Sequence, residues 1–142
     1  MELKATKYLD QQEYIAFFDQ TMSAAEYEQQ KEGGYFIYQG ETPIAFFSLI
    51  AVEEQLYWLR SLIIKRHAPI LLPVTIIQSA EQIAFDNKAT HLVTHSTSGM
   101  LDELFTQLGY QPSEKDLDSS LEAKWWITNL ANVGKKRTYT QI

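Results

Sequence analysis

Apolar and polar positions alternate along this chain with two different periods, and the switches between them mark its predicted elements. Residues 2–8, "ELKATKY", alternate loosely and predict a first strand. "DQQEYIAFFDQTM" then sets Tyr14, Phe17, Phe18 and Met22 on one face at helical spacing, with Asp10 as candidate N-cap. "SAAEYEQQKEGG" predicts a second short helix, opened by Ser23 and stopped by Gly33 and Gly34. The period falls to two over "YFIYQGETPIAFFSLIAVEEQLYWLRSLII", which predicts strands at 35–38, 43–52 and 56–64. Gly40 sits in the first turn and Glu53, Glu54 and Gln55 fill the second. Connections this short make an antiparallel meander the economical topology.

From Leu72 to Lys88 the period is helical again, with Ile76, Ile77, Ala80, Ile83 and Ala84 on one face. "HLVTH" predicts a short strand. "STSGMLDELFTQLGY" then predicts a helix with Met100, Leu101, Leu104, Phe105 and Leu108 in one stripe, Asp102 and Glu103 in its first turns and Gly109 at C′. "PSEKDLDSSLE" reads as a polar loop, "AKWWITNL" as a final strand and "ANVGKKRTYTQI" as a polar tail. The order β-α-α-β-β-β-α-β-α-β describes an α+β domain, a mostly antiparallel sheet with helices packed on it. The expectation is one domain over residues 1–130 and a tail over 131–142.

Composition narrows the function classes. A net charge of −6 argues against non-specific nucleic-acid binding, which draws on basic surfaces. No apolar run reaches the roughly 20 residues that cross a bilayer, and "MELKATKYLD" has no apolar stretch behind its charges, so no signal peptide is expected. Cysteine is absent, which removes disulfides, thiol nucleophiles and thiolate metal sites. The expectation is a cytoplasmic protein with no nucleic-acid or membrane partner.

Candidate chemistry concentrates at "RSLIIKRHAPILLPV", where a strand ends in Lys65, Arg66 and His67 and feeds a helix. A basic cluster before a helix N-terminus is suited to hold phosphate; equally, it can be a solvated turn. Pro73 fits the first turn of a helix, where its missing N–H costs little, and Pro69 marks an extended approach. His91 and His95 share a face of one strand, but no third ligand has recognisable spacing, so no metal is expected. Near the strand's end His95 reads as an ordinary strand histidine, and Ser96 or Thr97 as a helix cap. Trp125 and Trp126 point to opposite faces: one belongs to the core, and the other is covered by a helix or marks a partner or acceptor surface. Phe46, Phe47, Tyr57 and Trp58 read as packing, with Tyr57 or Trp58 able to line an acceptor groove. Lys135, Lys136 and Arg137 read as solvated.

The element order, together with "LVTHSTSGMLDELFTQLGY" at 92–110, resembles the GNAT-type N-acetyltransferase superfamily. The run Phe105-Thr106-Gln107-Leu108-Gly109-Tyr110 is similar to the "Y-x-x-x-G-F" ending of that family's helix after the fifth strand. "LRSLII" resembles its fourth strand and "KWWIT" its closing strand. The resemblance implies acetyl-CoA or another acyl-CoA as cofactor, with the backbone of Leu62, Ile63 and Ile64 on the pantetheine arm, the following loop on the pyrophosphate, and His95 or Ser96 as a ligand contact at the cofactor-facing end of "HLVTH". The family's loop is usually Q/R-x-x-G-x-G/A, since glycine lets backbone amides approach phosphate. Here Pro69, Leu71 and Pro73 fall near the glycine positions, and Lys65, Arg66 and His67 would supply attraction as side-chain charge. The resemblance also implies a tyrosine acid where this chain has Phe105, and a base with no clear counterpart; Glu53 and Glu54 lie in the preceding turn.

The resulting expectation is an acyl-CoA-dependent N-acyltransferase acting on a small-molecule or peptide amine. The alternatives are a non-catalytic relative that binds a ligand or partner, and a structural homodimer.

Overall fold

The computed structural model describes residues 2–8, 11–18, 32–66, 68–131 and 133. The period-two segments form strands and the period-3.6 segments form helices. In chain order these are β1 (Glu2–Ala5), a 3₁₀ turn (Thr6–Tyr8), α1 (Gln11–Phe18), β2 (Gly34–Gln39), β3 (Thr42–Glu53) and β4 (Leu56–Ile64). They continue with α2 (Leu72–Asp86), β5 (His91–Ser96), α3 (Gly99–Gln107), β6 (Gln111–Pro112) and β7 (Lys124–Asn129). The strands join in the order β1-β2-β3-β4-β5-β7-β6, the mostly antiparallel α+β sheet expected from the pattern. The meander expected over residues 35–64 is β2, β3 and β4, neighbours in that order; β5 then pairs parallel to β4, which the helical crossover α2 makes possible.

Three boundaries differ from the sequence expectation. The first strand stops at Ala5, and Thr6, fully buried, begins the 3₁₀ turn instead. The segment expected to be wholly loop begins with β6, which pairs Gln111 with Ile127 and Pro112 with Trp126. Of the three α-helices among the described residues, α1 matches the first predicted one. The helix predicted to follow Ser23, the Asp10 cap, Met22 and the basic tail lie outside those residues.

Chain packing groups residues 1–49 with 61–72 as one compact unit and residues 50–60 with 73–142 as the other. In the first unit the apolar alternation of β2 and β3 builds an aromatic core. Phe17 meets Phe36 edge-on at 4.9 Å, Phe36 lies 5.3 Å from Phe46, and Tyr35 stacks on Phe47 at 5.1 Å. Gly33 enters this packing at φ +79°, and its carbonyl accepts the Leu49 N–H at 2.7 Å. A Cβ there would sit 2.3 Å from the Leu49 carbonyl oxygen, so only glycine fits.

In the second unit each sheet face has its own cover. Leu56, Trp58, Val93 and Trp125 form one cluster, against which Leu117 and Leu121 of the 113–123 loop pack. That polar segment is tied down by its aspartates: Asp116 accepts the Asp118 N–H at 3.1 Å, and Asp118 accepts the Ser120 N–H at 3.0 Å. Phe105 lies between Trp126 and Tyr110, its ring centroid 6.4 Å from the first and 5.1 Å from the second. Ile76, Ile77, Ala80 and Ala84 of α2 are fully buried. Both tryptophans of the pair are therefore core residues, 8% exposed each, one under a loop and one under a helix.

Candidate functional site

Strand β4 carries the first half of the candidate site. Its parallel register with β5 runs from Leu56↔His91 to Leu59↔Thr94, where the Thr94 hydroxyl donates to the Leu59 carbonyl at 2.9 Å. The strand continues past that last pair through residues 60–64. Leu62 and Ile64 are half-buried and Ile63 is 42% exposed.

The loop after β4 sets how an anion can be held. The Lys65 N–H donates to the Ile44 carbonyl at 2.9 Å, Ala68 N–H to Lys65 at 3.1 Å and Leu72 N–H to Pro69 at 3.0 Å. Pro69 and Pro73 have no N–H to offer. Lys65 spends its amide on β3 and Ala68 and Leu72 spend theirs on the loop's own turns, so these three amides and the two prolines offer an anion no donor. The side chains fit phosphate better, for Lys65 and Arg66 are exposed cations. His67 lies outside the described residues. Lys65 Nζ sits 4.9 Å from the Phe17 ring centroid, a cation–π contact. Ile70 and Leu71 of the same loop are 93% and 73% exposed.

Strand β5 ends in a network that the sequence showed only in part. Ser96, 2% exposed, donates its hydroxyl to Asp102 and accepts the Trp126 indole N–H at 3.0 Å. Lys124 Nζ lies 3.5 Å from the same carboxylate. The Ser96 hydroxyl, and to a lesser degree Lys124, hold the Asp102 carboxyl below its ordinary pKa. Capping of α3 falls to Ser98, whose Oγ accepts from Leu101 N–H at 3.3 Å. Neither Ser96 nor Thr97, both expected as cap candidates, occupies that position.

His95 faces the other side. Its Nδ1 accepts the Trp58 indole N–H at 3.2 Å, and its ring packs 5.2 Å from Trp125. This contact leaves the proton of the neutral ring on Nε2. Burial lowers its pKa from the ordinary histidine value, with Asp118 opposing and Arg60 reinforcing the shift. His91 instead hydrogen-bonds its neighbour Thr90 through Nδ1 at 2.9 Å. Among the described residues no three histidine, aspartate or glutamate side chains gather as a metal site.

The position where the resemblance puts a proton donor is packed away: Phe105 is 1% exposed. Glu53 is the exposed last residue of β3 rather than a turn residue, and it pairs with Lys115 at 2.9 Å. Sequence reasoning missed the buried pair in which the Tyr110 hydroxyl donates to Glu81 at 2.8 Å. Burial foremost, and then the Glu81 carboxylate, push the Tyr110 pKa well above its usual value. No spacing signal could have found this pair, because its members lie on different elements. No helix of the described residues is long and apolar enough to cross a membrane.

No protein-family model and no curated protein matches the chain. Solved structures do. The chain is similar to N-acetylglutamate synthase from Neisseria gonorrhoeae, complexed with coenzyme A and N-acetyl-glutamate. The two share 13% identity at a TM-score of 0.73, over 91% of this chain and only 35% of that one. It is similar to an acetyltransferase from Streptococcus agalactiae at 12% identity and a TM-score of 0.70, covering 90% of this chain and 97% of that one. A GNAT family acetyltransferase from Elizabethkingia anophelis with acetyl-CoA bound aligns at 11% identity and a TM-score of 0.61, over 75% and 83% of the two chains. These likenesses show that the chain has the GNAT-type acetyltransferase fold.

Proposed function

We propose that this chain with the GNAT-type fold is an acyl-CoA-dependent N-acyltransferase acting on an amine. The observation that supports the reading best is the course of β4, which leaves its parallel pairing at Leu59 and runs through residues 60–64 into a cationic loop and a helix. Backbone groups of Leu62, Ile63 and Ile64 would receive the pantetheine arm as a strand edge receives an extended ligand. Lys65 and Arg66, with His67 beside them, would meet phosphate as point charges where the turn amides do not. The Ser96 hydroxyl already serves Asp102 and Trp126. A bound acyl-CoA would supply an activated thioester: the C–N bond to the amine would form as the C–S bond breaks, CoA leaving as its thiol and the amine's proton passing to it through solvent. The chain's own part is to hold and orient the partners, which alone can account for much of the rate; Phe105 has no proton to give.

A thermal-shift titration with CoA and acetyl-CoA tests this. The expected result is a melting temperature that rises with ligand concentration, and no shift at millimolar ligand overturns the reading. Changing Lys65 and Arg66 together to alanine should weaken binding about tenfold. A second reading, a ligand-binding domain without turnover, is favoured by the buried Phe105 and the inward-turned loop amides. Binding of acetyl-CoA without thiol release across a panel of amines would select it.

A further inference from the structure

We infer that the pocket beside Lys65 is a binding site for a small apolar carboxylic acid. The pocket encloses about 540 Å³ and is walled by Ala16 and Phe17 of α1, Pro43 and Ile44 of β3, and Lys65 and Ala68 of the loop after β4. Its volume lies in the range that holds small ligands. Phe17 and Ile44 are buried, 5% and 8% exposed, and give the pocket an apolar floor. The Lys65 ammonium lies against that floor, 4.9 Å from the Phe17 ring centroid. Among the described residues no carboxylate pairs with it. The bond from Lys65 N–H to the Ile44 carbonyl, 2.9 Å, anchors this cation at the wall.

An apolar body resting on Phe17 and Ile44 with one carboxylate on Lys65 satisfies both halves of the pocket. Gln39 and Thr42, exposed residues of the same lining, add polar groups. An amine would meet the ammonium at close range. The site needs no cofactor, but it shares Lys65 with the phosphate contact proposed above, so an acyl-CoA held there and the carboxylic acid would compete.

The probe is 2-naphthoate, titrated into the full chain and followed by amide chemical shifts, with neutral 2-naphthamide as control. Binding of the acid is expected, with shifts centred on Gln39, Thr42, Ile44 and Lys65, and an affinity about three- to tenfold above that of the amide. Lys65→Met should erase that preference while leaving apolar contact. Ala16→Trp, at an exposed helix position, should fill the pocket and abolish binding without disturbing the fold; Ala68→Trp provides a second occlusion. Equal affinity for acid and amide, a preference surviving Lys65→Met, shifts centred elsewhere, or no binding up to the solubility of the acid would each overturn the assignment.

Discussion

The connections after β4 and after β5 both lead a strand into a helix, yet their polar groups are satisfied in opposite ways. After β5 the chain closes its helix start with side chains. Ser98 caps α3, Asp102 sits in the first turn, and Ser96 and Lys124 hold that carboxylate. An anion arriving there would meet negative charge. After β4 no such acid is present; the turn is closed by its own carbonyls, and cations and apolar side chains face outward. Two helix N-termini with the same dipole thus differ in what they can bind, because the residues in the first turn decide the local charge.

Breaking the closed connection should have the largest effect. Ser96→Ala strips the buried Trp126 N–H of its acceptor and Asp102 of its donor, with an expected loss of about 2 kcal/mol in denaturant unfolding. A loss below about 0.5 kcal/mol would mean that water replaces the hydroxyl. Ser98→Ala should cost about 1 kcal/mol, the usual worth of an N-cap, while Ser98→Asp should retain most of it.

The pH dependence should separate the two connections further. Asp102 has a folded-state pKa below its unfolded value, held there first by Ser96. Its contribution is therefore present above about pH 4 and lost as pH falls through the folded-state pKa. Asp102→Asn should flatten the stability profile in that acid window, and an unchanged slope would remove the role given to the network. His95, lowered by burial, follows the same sign: its stabilisation is complete above about pH 6.5 and declines as pH falls below it. His95→Gln should reduce that decline. The open connection should respond least. Arg66→Ala and Ile70→Ser are expected to shift stability by no more than about 0.5 kcal/mol, and a cooperative loss of fold in Ile70→Ser would show that the loop's apolar face is structural.

Much of this architecture was legible from periodicity. The strands predicted at 35–38, 43–52 and 56–64 match β2, β3 and β4 closely, because alternation reports which side chains a half-buried sheet must hide. Gly109 at φ +90° ends α3 where a left-handed residue was expected. The 113–123 segment was harder: its aspartates and serines announce turns, but only the fold shows that Leu117 and Leu121 cover Trp58 and Trp125. The candidate site divides likewise. The charge of Lys65 and Arg66 and the missing glycines are plain in the sequence, whereas the partners of the loop amides are not.

The sequence by itself determined the elements, the position of the basic loop and the absence of a proton at Phe105, since each depends on residue type and local spacing. Tertiary structure alone decided that Lys65 gives its N–H to Ile44 and lays its ammonium on Phe17, and that Tyr110 bonds Glu81. It likewise joined Ser96, Trp126 and Asp102 into one network. Those contacts join positions distant along the chain, and a local period carries no information about which distant donor will find which acceptor.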